Sequence, residues 1–489
     1  MADNQAPAPY TGFDRMPMAG QWRPGSGSVM DDVNPYSGEV ITKLALADAS
    51  DVDRTYDTAR EAQREWARTP AEEKRPIFKR VAQIMGERHA EVADWLVREA
   101  GATHDRAEVE IGIVRSIIAA AAAKTEEVML TVGSDVPGKE NRVYRRPAGV
   151  VTVISPWNWP LHLSNRSVAP ALALGNAVVL KPSEETPVTG GLLLAKVFEE
   201  AGLPPGVLSV LVGRGGEIGD ALVQHPVPRV ISFTGSTRVG LGITTKAGIK
   251  RLSLELGGNA PLVVLDDADL ELAVELAAFG SYYHQGQICM ATNRVIVDAT
   301  LHDEFVERFV ETARGLRTGD PAHPATQLGP VINDTQLRTI REKVSRAVSQ
   351  GAGLLLSGEP SGPAGHVLPP QVLLGSNEVA TAAEEVFGPV ATIIKADGEE
   401  DALRLANATE FGLASGVITR DVERGVRFAL RVEAGMTHVN DSTVQDDEHI
   451  AFGGEKSSGV GRFGGHWVID EFTTQHWVSV QHERRALHY

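Results

Sequence analysis

The stretch Ala148-Gly-Val-Val-Thr-Val-Ile-Ser155, followed by Ala177-Val-Val-Leu-Lys181, decides the class of fold. Each is a short, β-branched apolar run, the signature of a strand buried on both faces. Residues 161–174 between them read as a helix. A strand, a crossover helix and a second strand make a parallel unit.

Outward from this unit the alternation continues. Residues 187–201 read as a helix closed by Gly202 and Pro204, and a strand over 207–212 follows. Then come a short helix from about Glu217, a strand over 229–233, a helix from Thr237 and a strand over 251–256. Such a series builds a parallel sheet wrapped by helices, with ligands outside the carboxyl ends of its strands.

A second α/β block begins after Gly257. It has a strand over 261–265, a helix over 270–279 capped by Asp269, a strand over 293–297, a helix over 302–316, a loop-rich zone over 319–333 and further alternation to about Val439. Towards the N-terminus, Ala59/Ala62/Trp66 and Ile77/Val81/Ile84/Met85 recur at helical spacing between Asp51 and about Glu127. Residues 1 to about 50, rich in Pro, Gly, Ser and Asp, read as an irregular or hairpin-like entry. The alternating Trp477-Val-Ser-Val480 is a strand without a local partner, which must pair with a distant segment or another subunit.

A chain of 489 residues exceeds one hydrophobic core, so two or more domains are expected. Its net charge of −17, from 47 basic and 64 acidic residues, opposes nucleic acid and anionic membrane surfaces. A single cysteine excludes an intramolecular disulfide and any multi-cysteine metal site, and it points to a reducing compartment. Residues 1–7 lack the basic and apolar regions of a secretory signal. The longest uncharged stretch, 147–165, is broken by Pro156, Asn158, Pro160 and His162, so no membrane span is expected. The expected location is the cytoplasm.

That one cysteine, Cys289, lies in Gln285-Gly-Gln-Ile-Cys-Met290 and follows Leu254-Glu-Leu-Gly-Gly-Asn259. A lone thiol is ordinarily a small buried hydrophobe. Here its approach, Tyr282 to Gln287, is polar and contains glycine. A thiol with a carboxylate, Glu255, is the pair that a covalent thioester mechanism needs.

Three more stretches leave predicted strands. Phe233-Thr-Gly-Ser-Thr-Arg-Val-Gly240 offers a helix N-terminus to a diphosphate, although its G-x-x-x-x-G spacing is neither the dinucleotide fingerprint nor a nucleotide-triphosphate loop, and a plain strand-to-helix turn fits as well. Lys181 and Glu184 in Lys181-Pro-Ser-Glu184 stand where ribose hydroxyls bind, and the acid disfavours a 2′-phosphate; a solvated turn is the alternative. In Ile154-Ser-Pro-Trp-Asn-Trp-Pro160, two prolines and two tryptophans fix Asn158 as a donor for an oxyanion, or for the loop's own backbone.

Together with Glu255-Leu-Gly-Gly258, Gly286-Gln-Ile-Cys289, Glu385-Val-Phe-Gly-Pro389 and Phe452-Gly-Gly-Glu-Lys-Ser-Ser-Gly459, these motifs resemble the ordered set of the NAD(P)-dependent aldehyde dehydrogenase superfamily, from about residue 30 to the C-terminus. The resemblance implies an α/β architecture: a Rossmann-variant nucleotide-binding domain over 1–127 and 148–256, an α/β catalytic domain over 257–465, and a β oligomerisation arm over 128–147 and 466–489 that joins a homodimer or homotetramer. It implies Cys289 as nucleophile, Glu255 as general base and Asn158 in the oxyanion hole. It implies a nicotinamide dinucleotide, expected to be NAD rather than NADP on account of Glu184, held by Lys181, Ser183, Glu184, Ser236, Glu385 and Phe387, with Ile154, Ser155, Pro156, Trp157, Gly213, Gly235, Gly240 and Leu256 around it.

The segments Gly435 to Glu448 and Gly459 to Gly465 are similar to the bacterial benzaldehyde, salicylaldehyde and vanillin dehydrogenase branch. That likeness makes an aromatic aldehyde the expected substrate, with aliphatic and amino aldehydes open. It places Arg166 in the substrate tunnel, facing a phenolic or carboxylate substituent; an arginine in a helix-surface salt bridge is the alternative. Trp159, Leu163, Tyr283, Ile288 and Met290 are pocket walls by position, and core packing explains each equally well. No metal is expected. A coenzyme-A-acylating relative generally lacks the base at Glu255, a non-catalytic protein of this fold need keep neither Cys289 nor Glu255, and no G-x-S-x-G or H-E-x-x-H motif is present.

Overall fold

A computed structural model of the chain describes residues 7–125 and 129–486. Residues 1–6 of the stretch read for a signal, residues 126–127, the first position of the expected arm and residues 487–489 lie outside the described residues.

The Ala148–Ser155 stretch forms the strand Val150–Ile154 at the middle of a six-stranded sheet. Its parallel neighbours are Pro228–Thr234 on one side and Ala177–Lys181 on the other, with Leu208–Val210 and Arg251–Glu255 beyond them. Val150, Val151 and Val153 are buried, as the apolar run requires. The helix Pro160–Ala173 crosses over one face and is buried along its whole length. Helices Ala49–Arg68, Ala71–Glu87 and His104–Ala123 share the same core through Tyr56, Phe78, Ile111 and Ile118.

The sheet has a sixth, antiparallel strand that the sequence did not suggest. Gly459–Val460 pairs with Arg251–Glu255, setting Glu255 opposite Gly459 and Leu254 opposite Val460. Two residues are too few to carry a period-2 pattern, so this strand has no signature of its own.

The second block is a seven-stranded sheet in the spatial order 353–356, 371–374, 390–396, 292–298, 260–264, 414–418, 436–439, parallel except for its first pair. Asp269 caps the helix Leu270–Tyr282 as expected, its carboxylate accepting the Glu271 and Leu272 N–H groups. That helix runs three residues past the expected Phe279.

The expected helix over 187–201 has two parts. Val188–Leu192 is one wide π-type turn, and the α-helix proper is Leu193–Glu200. The buried Glu99 carboxylate accepts the Val188 and Thr189 N–H groups, at 2.7 Å each, and a methyl at Gly191 would meet Pro182 and Val210. Close packing and an outside acceptor open the first turn.

The orphan C-terminal strand finds its partner in the same chain. Thr473–Gln481 pairs antiparallel with Lys139–Pro147 along its full length, and Met129–Val132 completes a three-stranded sheet. Leu130, Val132 and Trp477 are exposed on it. Among the described residues, no helix is long and apolar enough to cross a membrane.

Candidate active site

Glu255 is the last residue of the strand Arg251–Glu255 and is fully buried. Two glycines follow it for a steric reason. A methyl at Gly258 would overlap the Cys289 carbonyl oxygen, and one at Gly257 would crowd Glu385 and Thr237. Their bareness lets the loop that carries the thiol lie against the strand that carries the acid.

Cys289 is presented by an elbow. After the helix Leu270–Tyr282 the chain turns through Tyr283–Gly286, where His284 and Gln285 both take the left-handed conformation (φ 49° and 56°). Such strain persists only when the surroundings over-determine it. The Gln285 amide donates to the Pro330 and Gly101 carbonyls (2.8 and 3.3 Å), Gln287 Oε1 accepts the Ile332 N–H (3.0 Å), and a methyl at Gly286 would overlap the Gly388 carbonyl. The polar Gln285-Gly-Gln287 approach is this scaffold.

Asn158 meets the elbow from the other sheet. Its Nδ2 donates to the Gln287 carbonyl at 2.9 Å, and its own carbonyl accepts from Arg106. Arg106 and Glu110 form a fully buried ion pair (2.7 Å), with the Arg106 guanidinium 4.4 Å from the centre of the Trp159 ring. Glu110 also accepts the His162 N–H. The loop is therefore pinned from both sides.

Cys289 is partly exposed and sits in a cleft with Pro156, Trp157, Asn158, Leu163, Gly235, Ser236, Leu256, Glu385 and Phe387. Burial and then the Glu255 charge push its thiol well above the usual thiol range, while Arg166 works in the other direction. Glu385 is pushed up to about 7 by burial, against the Gly258 N–H that it accepts at 3.0 Å. Phe387, at φ 56°, sets its ring edge-on to Trp157 at 5.3 Å.

Six further residues line this cleft without having been named as site residues from the sequence: Thr234, Gly257, Val386, Gln336, Thr339 and Lys343. Gln336 Nε2 donates to the Phe387 carbonyl and Lys343 Nζ to the Glu385 carbonyl, at 2.7 and 2.5 Å. The last three share a face of the helix Asp334–Ser349, so their only signal was a polar i, i+3, i+7 stripe.

The other cofactor candidates stand at the strand ends. Lys181 Nζ reaches Glu184 Oε2 at 3.2 Å; although burial works the other way, Lys181 and backbone N–H groups, that of Gly215 among them, hold Glu184 below the usual carboxylate range. Ser236 begins the helix Thr237–Lys246 without capping it by its side chain, which leaves the first N–H groups to a ligand. Several residues have structural duties. Ser155 shares a 2.6 Å hydrogen bond with Ser164, Ser183 accepts the Glu185 N–H, and Ile154 packs beside Leu254 and Leu256. Gly213, Gly235 and Gly240 are bare because a methyl would strike Ile218, Phe233 and Leu256.

On the far side of the thiol, Trp159, Leu163, Ile288 and Met290 form one apolar cluster with Phe452 and Phe463, and Tyr283 and Cys289 pack at its edge. Arg166 is buried among them, its guanidinium 4.8 and 4.4 Å from the Phe452 and Phe463 ring centres. Its Nη2 donates to Glu255 Oε2 (3.3 Å) and Thr234 Oγ1 (3.1 Å), whereas its Nε and Nη1 are buried with no protein partner. It is thus in a salt bridge, but an interior one. His162 Nε2 lies 3.3 Å from Asp446 Oδ2; burial and the nearby Arg166 and Arg106 hold His162 down to about 3, and burial lifts Asp446 to about 6. Neither was singled out from sequence, because they face each other only after folding. Among the described residues no group of His, Cys, Asp or Glu is arranged to hold a metal ion.

The model of the aldehyde dehydrogenase family matches residues 22–478. A vanillin dehydrogenase of Corynebacterium glutamicum is 48% identical over 97% of this chain and 99% of its own length. A benzaldehyde dehydrogenase of Bacillus subtilis is 45% identical over 98% and 99%. The crystal structure of an NAD-dependent benzaldehyde dehydrogenase from Corynebacterium glutamicum superposes with a TM-score of 0.88 at 44% identity, covering 96% of this chain and 99% of that one. A thiol on a buttressed elbow, a carboxylate at a strand end and an amide between them agree with these matches: the chain belongs to the aldehyde dehydrogenase family.

Proposed function

We propose that the protein oxidises an aromatic aldehyde to its carboxylic acid, with NAD as cofactor and water as the acyl acceptor. The observation that carries this is the convergence of three separate segments: Cys289 and Asn158 line one cleft at the carboxyl ends of the sheet, and the buried Glu255 acts on the thiol from beside it.

Cys289, having given up its proton, bonds as thiolate through Sγ to the aldehyde carbon, the carbonyl electron pair moves onto oxygen, and that oxyanion is met by the Asn158 amide and the Cys289 N–H. Bound NAD supplies the acceptor for the aldehyde's hydrogen. Its fit rests on the uncapped helix start at Ser236, the Lys181–Glu184 pair for ribose hydroxyls, and the half-buried Glu385 carboxylate. Glu184 favours NAD over NADP by repelling a 2′-phosphate. The acyl group left on sulphur as a thioester is hydrolysed by water that gives its proton to Glu255.

Two things support an aromatic substrate. The relatives named above act on vanillin or benzaldehyde, and the apolar cluster beside the thiol is built from Trp159, Tyr283, Phe452 and Phe463. The partnerless Nε and Nη1 of Arg166 suit an oxygen substituent on the ring. The domain division at 257 and the arm over 128–147 and 466–489, joining a homodimer or homotetramer, are part of the same reading, supported by the exposed apolar residues of the three-stranded sheet. So is a cytoplasmic location, which the single cysteine favours.

The test is a steady-state panel of benzaldehyde, salicylaldehyde, vanillin, hexanal and betaine aldehyde with NAD and NADP. The expected order puts the aromatic aldehydes and NAD first. A preference for hexanal overturns the aromatic assignment, and activity in Cys289→Ala equal to that of the parent overturns the mechanism.

A further inference from the structure

Glu255 is a fully buried carboxylate, and among the described residues its one ion pair is with Arg166. Only Glu255 Oε2 is held. Oε1 is buried and has no hydrogen-bond partner. The guanidinium that holds it is fixed in turn by the Phe452 and Phe463 rings and by Thr234. Those two phenylalanines are tied by reciprocal backbone hydrogen bonds of 3.0 and 2.8 Å, and the loop between them carries Gly459, the strand partner of Glu255. One segment thus clamps the cation and extends the strand that ends in the acid.

We propose that Arg166 is the positioning residue of the general base: it holds Glu255 through Oε2 as an anion and leaves Oε1 to receive the proton of the hydrolytic water. This rests on Glu255 being the base. In the step itself, the water oxygen bonds to the thioester carbon, the carbon–sulphur bond breaks with its electron pair returning to Cys289, and the proton moves to Oε1.

The surrounding charges make such a cation necessary. Glu385, from the segment before the strand Val390–Ala396, and Asp446, from the loop after Met436–Val439, both feel the negative charge of Glu255, as does Cys289. His162, on the same helix as Arg166, is neutral, and Arg106 is committed to Glu110. Without Arg166, the buried carboxylate faces acidic neighbours with no cation to hold it, and its orientation is lost.

The experiment compares Arg166→Gln and Arg166→Lys with the parent enzyme, using benzaldehyde and hexanal, from pH 5.5 to 9. It reads the acid limb of kcat and, by mass spectrometry of acid-quenched turnover, the thioester adduct on Cys289. In Arg166→Gln the acid limb moves up by about one pH unit or more, kcat at pH 7 falls about tenfold or more, and the adduct accumulates with both aldehydes. Arg166→Lys lies between, and it alone decides if the Gln variant fails to fold. An unmoved acid limb without adduct overturns the proposal, as does an effect confined to benzaldehyde. Glu255→Gln separates the two readings. If it hydrolyses thioester as the parent does, the assignment of the base fails; if it accumulates adduct while the Arg166 variants do not, only the role of Arg166 fails.

Discussion

Asn158 Nδ2 donates to the main-chain oxygen of Gln287, two residues before the nucleophile, at 2.9 Å. One of its two amide hydrogens is spent on holding the carboxamide in place, and under the proposed mechanism the other meets the oxyanion. Asn158→Ala is therefore expected to lower kcat by about 10²–10³-fold, as loss of one oxyanion donor does, with little change in KM. Steady-state kinetics with benzaldehyde check this, and equal losses of kcat and affinity would contradict it.

The thiol gives a second expectation. Because burial and the Glu255 charge raise the Cys289 thiol, it is protonated at neutral pH in the ligand-free enzyme, and its thiolate gains as pH rises through and beyond the ordinary thiol range. Iodoacetamide inactivation should accelerate up to pH 9 and above without levelling off. Glu255→Gln removes a negative neighbour, so at pH 8 it should be alkylated faster than the parent although its turnover is lower. A slower reaction in that variant would mean that Glu255 activates the thiol as its base in the free enzyme.

Gly258 is a test of contact. A methyl there meets the Cys289 carbonyl, which has to move. Gly258→Ala should cost about 1–3 kcal/mol of stability and about 10²-fold in kcat through misplacement of the thiol. Thermal melts and turnover measured together distinguish this from simple unfolding.

At the ribose end, Glu184→Ser should raise kcat/KM for NADP by roughly tenfold, the equivalent of ~1.4 kcal/mol, and reduce it for NAD. If the ratio of the two does not change, Glu184 lies away from the 2′ position.

Much of this arrangement was legible in the chain. Buried parallel strands have a strong local pattern, which is why Val150–Ile154 and Ala177–Lys181 are found where the apolar runs lie. Cys289, Glu255 and Asn158 stood out by residue type and motif, whereas Glu385 and Phe387 came only through the family resemblance; the structure brings Asn158, Cys289, Glu385 and Phe387 to one cleft. What escaped was set by tertiary packing. The π-type turn at Val188 depends on Glu99, the pairing of His162 with Asp446 joins a helix to a distant loop, and Gln336 and Lys343 reach the cleft from a helix that otherwise reads as surface. Arg166 was placed near the site, but the sequence contains nothing to say that its partner would be Glu255.

The short antiparallel strand Gly459–Val460 has a consequence for biosynthesis. The strand ending in Glu255 reaches the ribosome exit long before residue 459 is made, so its outer edge has to wait for the last stretch of translation. Until then Glu255 has Thr234 beside it but neither its outer partner Gly459 nor the phenylalanine clamp on Arg166. A chain released before Phe463 is made, even one containing Cys289, holds its thiol near a carboxylate whose outer edge is open and whose arginine is not yet clamped.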